Sequence, residues 1–187
     1  AAMASVLLIA KGSHRASDSI PALGFAIAAV VAVDMHQPTL EETKALAGDL
    51  SRKLTTVTLD ITDRAAVAAL PSKTGPIDIL INNAGIIQPF VKVIDLKMED
   101  AVHVMNVNFS GPLMLTKAFL PELVKRPEAH ILNVSSMGAY APVPGQSVYG
   151  ASKAAIKLFT EGLRSELMNT KVGVTVVFPG AIETNIA

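Results

Sequence analysis

The chain has 187 residues, half of them hydrophobic, and its sixteen Lys and Arg balance sixteen Asp and Glu. That length suits a single domain spanning 1–187 around one sizeable core, and a neutral balance supplies no field for DNA, RNA or an anionic membrane, which leaves a small molecule as the expected ligand. The absence of cysteine excludes disulfides, thiolate catalysis and cysteine-ligated zinc, and the four histidines (His14, His36, His103, His130) lack metal-ligand spacing, so no metal is expected.

Six short apolar runs punctuate the chain, at 6–10, 30–33, 56–59, 77–81, 131–134 and 174–178. They are rich in Val, Ile and Leu without polar alternation, as in strands covered on both faces. The first follows no basic region and is read as a strand, not as a signal peptide. The apolar stretch 20–33 is interrupted by Pro21 and Gly24 and falls short of the roughly 20 residues that cross a bilayer. A cytoplasmic protein is the resulting expectation.

Helical segments fill the gaps. The segment 39–53 carries Thr39 as a cap candidate and Glu41 and Glu42 in its first turn, where negative charge complements the helix dipole. Asp63 can cap 64–70. The segment 112–124 opens on Pro112 and places Leu115, Phe119 and Leu123 on one stripe. In 149–168 the predicted stripe is Ala151, Ala155, Phe159, Leu163 and Leu167, with Ile156 and Leu158 off it. Strands alternating with helices predict an α/β fold: a three-layer doubly wound parallel sheet of Rossmann-like type. No repeat, low-complexity segment or interdomain linker is present.

Ligands of such sheets lie beyond the carboxyl ends of the strands. Gly12 stands in the turn after the first run, and Asp34 closes the second, twenty-two residues later. An acidic residue there suits the ribose hydroxyls of NAD and repels a 2′-phosphate, so NAD is favoured over NADP; a loop cap before Pro38 is the alternative reading. Asp60 and Ile61 end the third run, and Asn82-Asn83-Ala84-Gly85 follows the fourth. The small residues there let backbone approach a cofactor, and the paired amides can tie neighbouring strand ends.

Tyr149 and Lys153 lie four residues apart, one turn of a helix, so the phenol and the ammonium share a face. A free phenol titrates near pH 10 and a lysine near 10.4, so neither alone is matched to neutral pH, whereas a positive charge beside a phenol favours the phenolate. An isolated Tyr-x-x-x-Lys is more often a packed tyrosine beside a solvated lysine. Here Gly150-Ala151-Ser152 fills the gap, Asn133-Val134-Ser135-Ser136 stands upstream with Ser136 thirteen residues before the tyrosine, and Asn108-Phe109-Ser110-Gly111 precedes both.

Together these motifs resemble the short-chain dehydrogenase/reductase family, from about Ser5 to the end of the sequence. The resemblance implies an oxidoreductase that interconverts a secondary alcohol and a ketone with a nicotinamide cofactor. It implies Tyr149 as acid and base, Lys153 on the tyrosine and the nicotinamide ribose, Ser136 as donor to the substrate oxygen, and Asn108 in the proton relay and at a bend of its helix. It implies cofactor contacts at Gly12, Asp34, Asp60, Ile61, Asn83, Ala84, Gly85, Tyr149, Lys153, Pro179, Gly180 and Thr184. It also implies a homodimer or homotetramer, in keeping with a charged fraction of 17% against the roughly 25% of ordinary soluble domains.

Two features depart from the family's pattern. The family's usual C-terminal strand and substrate-covering segment are missing, so the resemblance names no substrate. In the first turn, Ala16 and Asp18 occupy positions where the family places glycine; a side chain and a negative charge there both oppose a pyrophosphate. Lys11, His14 and Arg15 offset that charge, or Gly24 marks a different helix start, or the site is damaged. A binding or scaffold protein of the same fold with impaired cofactor binding is therefore the alternative.

Overall fold

The computed structural model describes residues 7–12 and 27–180. In chain order the elements are β1 (Leu7–Gly12), β2 (Ile27–Asp34), α1 (Gln37–Leu46), β3 (Leu54–Thr58), α2 (Arg64–Thr74), β4 (Ile79–Asn82), α3 (Met98–Met105), α4 (Gly111–Leu123), β5 (Ala129–Val134), α5 (Ser147–Glu166) and β6 (Val172–Val177). The sheet runs in the order β3-β2-β1-β4-β5-β6, that of a doubly wound dinucleotide-binding fold.

β2 and β3 pair in parallel, as do β4, β5 and β6. β1 departs from the expectation of a wholly parallel sheet by running antiparallel to both β2 and β4. A parallel connection needs a crossover, usually a helix, whereas an antiparallel one needs only a reversal. The consequence is positional. Gly12 pairs with Ile27, at the amino end of β2, while Asp34 ends that strand beside Thr58 of β3.

The core cluster draws Val31 and Val33 of β2 together with Val67 and Leu70 of α2, Leu115, Phe119 and Leu123 of α4, and Leu163 of α5. Strand alternation then sends Ala32 and Asp34 to the opposite face. α1 packs on β2 and β3, and its buried Leu40 stands outside that cluster, giving a helix layer on each side of the sheet. The predicted α4 stripe is the observed one. Asp63 caps α2 as its sequence position predicts, accepting from the N–H groups of Ala65 and Ala66 at 2.9 and 3.0 Å, an arrangement worth about 1 kcal/mol.

Three helix expectations are revised. α1 starts at Gln37 with Pro38 in its first turn and His36 as its cap position, so Thr39 lies inside it, and a separate 3-10 turn covers Gly48–Lys53. The helix before β5 begins at Met98, not near Pro112, and passes through one π turn, Asn106–Ser110, between α3 and α4. In α5, Ile156 is buried, Ala151 is exposed, and Ser152 and Thr160 are fully buried. Hydroxyls occupy part of that face because each has a partner inside, which an apolar stripe does not report. Among the described residues no helix is long and apolar enough to cross a membrane.

Candidate active site

The carboxyl ends of β4, β5 and β6 and the first turns of α5 converge on one region. β5 and β6 are tied past their ends: the N–H of Ser135 donates to the Val177 carbonyl at 2.9 Å, and that of Met137 to the Pro179 carbonyl at 3.0 Å. α5 is pinned to the same edge by the Ser135 hydroxyl, which donates to the carbonyl of Lys153 at 2.8 Å.

Beneath that edge lies a buried polar ladder. Asn82 and Asn133 are register partners on β4 and β5, and the Asn82 amide donates to Asn133 Oδ1 at 2.8 Å. Asn133 in turn donates to Thr160 Oγ1 at 2.9 Å, and Thr160 donates to the Ile156 carbonyl. The amide tie expected of the Asn82-Asn83 pair is thus made by Asn82 with Asn133; Asn83 itself is exposed.

Lys153 is buried, with 4% of its surface exposed, and its ammonium donates to the Val134 carbonyl at 3.2 Å. It stands 5.9 Å from the centre of the Tyr149 ring, within reach of a cation–π attraction. Burial pulls its pKa down to about 8. Gly85 makes room for it: a Cβ there would sit 2.9 Å from Lys153 Nζ.

Asn108 sits in the π turn, an irregularity frequent at functional sites. The turn aims its amide inward, where it is 1% exposed and fully engaged. Oδ1 accepts from the Ile86 N–H at 2.8 Å, while Nδ2 donates to the Ile86 carbonyl and to Ser152 Oγ, both at 2.9 Å. Ser152 donates onward to the Tyr149 carbonyl at 2.7 Å.

Ser136 lies at the start of a tight turn, Met137–Ala139, and its hydroxyl oxygen accepts from the Gly138 N–H at 3.1 Å. Gly138 presses on the tyrosine ring; a Cβ there would come within 3.2 Å of Tyr149 Cε1. The four residues singled out by sequence therefore meet at one corner of the sheet. Gln88, unsuspected from sequence, joins them: it is 1% exposed and its Oε1 accepts from the N–H groups of Val148 and Tyr149 at 2.8 and 3.0 Å. A polar residue between Ile87 and Pro89 was the only trace of it in the sequence.

The family model described as short chain dehydrogenase matches residues 22–187. The chain belongs to the short-chain dehydrogenase/reductase family. Among its relatives, a short-chain type dehydrogenase/reductase of Sinorhizobium fredii, y4eK, is 34% identical over 84% of this chain and 61% of its own length. The NADP-dependent 3-hydroxy acid dehydrogenase YdfG of Salmonella typhimurium is 36% identical over 76% of this chain and 59% of its own. A solved short-chain dehydrogenase/reductase of Burkholderia phymatum in complex with NAD superposes with a TM-score of 0.79 at 27% identity, covering 83% of this chain and 58% of that one. The chain thus spans about three fifths of the length of these relatives.

The remaining residues singled out by sequence are distributed unevenly. Asp34 is 3% exposed; its Oδ1 accepts from the His36 N–H at 2.8 Å, and its Oδ2 is buried with no hydrogen-bond partner among the described residues. Burial raises its pKa, against the lowering effect of the His36 N–H. Ala84 and Gly85 line the β4 exit, and Pro179 and Gly180 the β6 exit, on the same side as Lys153. Asp60 is exposed and closes a local turn with the Thr62 N–H and hydroxyl, both at 2.8 Å. Ile61 is core, packed where a Cβ on Gly111 would stand. Gly12 is not brought to this edge, because antiparallel β1 carries it to the opposite end of the sheet, and Thr184 lies outside the described residues.

Proposed function

We propose that this chain carries the acid–base corner and the nucleoside side of a nicotinamide-linked oxidoreductase that interconverts a secondary alcohol and a ketone. The observation that carries the reading is the convergence of Tyr149, buried Lys153, Asn108 and Ser136 on the strand edge that also ends in Asp34.

Two features of the site fit a nicotinamide dinucleotide. A buried carboxylate oxygen on Asp34 has no partner among the described residues, and leaving such an acceptor unmet costs about 1–3 kcal/mol. A ribose diol would satisfy it. The bare backbone at Gly85, beside the Lys153 ammonium, is the second. Asp34, Asn83, Ala84, Gly85, Lys153, Pro179 and Gly180 would hold the cofactor, with Asp60 at its margin. Once bound, it supplies the hydride acceptor or donor.

The chain's own residues handle the proton. Tyr149 gives its phenolic proton to the carbonyl oxygen in reduction and takes one from the alcohol in oxidation. Lys153, close beside the ring, stabilises the phenolate left behind, an interaction strengthened by burial. Ser136 donates to the same substrate oxygen, where negative charge develops. Asn108, through Ser152, steadies the turn that bears the tyrosine.

A relative named as NADP-dependent and a neighbour solved with NAD stand side by side among the comparisons. The Asp34 carboxylate favours NAD here, since it would repel a 2′-phosphate. The small-molecule ligand is an alcohol or ketone, and pairing of copies into a homodimer or homotetramer in the cytoplasm belongs to the same proposal.

One observation favours a second reading. Gly12, the only glycine retained at the family's first-turn positions, stands at the wrong end of the sheet for a pyrophosphate. A fold that keeps the acid–base corner with impaired cofactor binding would look like this. Titration with NADH separates the two, followed by nicotinamide fluorescence in a chain without tryptophan. Enhancement at micromolar NADH supports the oxidoreductase; none at millimolar NADH or NADPH supports the second reading.

A further inference from the structure

One short strip of chain, 85–88, gauges three of the four residues at the acid–base corner. Gly85 sets the place of the Lys153 ammonium, since a Cβ there would meet Nζ at 2.9 Å. Ile86 holds Asn108 by both its N–H and its carbonyl. Gln88 holds the Tyr149 backbone N–H at 3.0 Å.

The Gln88 contact is unusual as a helix cap. First-turn N–H groups are ordinarily met by the side chain of the cap residue itself. In α5 the cap position is Gln146, whose side chain makes no such bond. Gln88, sixty positions before Val148, supplies the acceptor for Val148 and Tyr149 instead. Two further groups of Gln88 are committed: Nε2 donates to the Gly145 carbonyl at 2.9 Å, and its main-chain carbonyl accepts from Gln146 Nε2 at 2.8 Å. Gly145 presents that carbonyl from a φ of 82°, a conformation glycine adopts without steric cost.

A local cap stabilises a helix wherever the helix happens to lie. A cap reaching from the strip beside Lys153 and Asn108 fixes where the first turn of α5 stands relative to them. The geometry points to Gln88 as a positioning residue that sets the height of the Tyr149 ring against Lys153 and Asn108. The inference rests on the proposed acid–base role of Tyr149. A displacement of the order of 1 Å in such a constellation can cost up to about a hundredfold in rate.

The test compares the full chain with Gln88→Met, which keeps the length and loses both polar atoms, and Gln88→Glu, which keeps an acceptor and loses the donor to Gly145. Ring-labelled [13C]tyrosine gives one readout that needs no turnover; the chain has two tyrosines, and Tyr140→Phe assigns them. In Gln88→Met the Tyr149 ring signal moves and the Tyr140 signal stays. The same variant loses about tenfold or more in kcat with its KM for NADH within about threefold, and Gln88→Glu falls between it and the parent. A folded Gln88→Met with unmoved Tyr149 signal and unchanged kcat, reduced only in melting temperature, overturns the proposal and leaves Gln88 a plain cap. If Gln88→Met does not fold, the Gln88→Glu ring signal decides in the same two senses. A parent without turnover, together with a displaced ring in the variant, would refute the oxidoreductase reading while the positioning role stands.

Discussion

Lys153 Nζ stands 5.9 Å from the centre of the Tyr149 ring and, at the same time, 2.9 Å from where a side chain on Gly85 would begin. The ammonium is thus held between a phenol and a bare stretch of backbone, with the Val134 carbonyl at 3.2 Å as its hydrogen-bond acceptor. Crowding one side of that slot should disturb the other.

Gly85→Ala is the smallest such disturbance. The added methyl meets the far end of a flexible side chain, so the fold should survive with a change in melting temperature of a few degrees. The ammonium must move, and kcat should fall about tenfold or more. Unchanged kcat in the folded variant would show that the placement of Lys153 is not critical.

Lys153 also leaves a signature in stability. Burial holds its pKa at about 8, below the ordinary 10.5. Between these values the unfolded chain binds more protons than the folded one, so this residue's contribution to stability rises with pH through that window and its penalty is complete below it. Melting temperatures of the parent and Lys153→Met, measured from pH 7 to pH 11, should show the parent gaining on the variant between about pH 8 and pH 10.5. A constant difference would contradict the buried, deprotonation-prone lysine.

The amide ladder under the site should prove structural. Thr160→Val leaves the Asn133 amide without its acceptor in a fully buried place. The expected loss is about 1–3 kcal/mol in denaturant unfolding. A neutral substitution would mean that the ladder closes around the gap.

Sequence pattern and structure agree where a local signal has a local cause. The stripe Leu115, Phe119, Leu123 is a helical period on a buried face, and Asp63 caps the helix that begins at its own next residue. The meeting of Tyr149, Lys153 and Ser136 at one corner was legible because Tyr149 and Lys153 are one turn apart and Ser136 lies just past a strand end. The orientation of β1 was not, since a short apolar run has no direction. Gln88 was hidden for a related reason: a cap that reaches across sixty positions leaves no pattern near the helix it serves. Ser152 and Thr160 look like surface residues by type and are buried because Asn108 and Asn133 donate to them.

Asp34 offers a test of cofactor choice. Its Oδ2 is buried with no hydrogen-bond partner among the described residues, and on the proposal that a ribose diol meets this carboxylate, Asp34→Ala should weaken NADH binding by about tenfold, the equivalent of 1.4 kcal/mol, and narrow the gap between NADH and NADPH. Fluorescence titration with each nucleotide measures both. An unaltered NADH affinity would place the ribose elsewhere.

The central claim is that Tyr149 moves the proton of a nicotinamide-linked reaction. Reduction of a panel of small ketones and oxo acids, followed by loss of NADH absorbance with the parent and Tyr149→Phe, tests it most directly. Parent turnover should fall on the order of a hundredfold or more in Tyr149→Phe, with the NADH dissociation constant unchanged. Equal turnover in the two proteins, at equal NADH affinity, would contradict it.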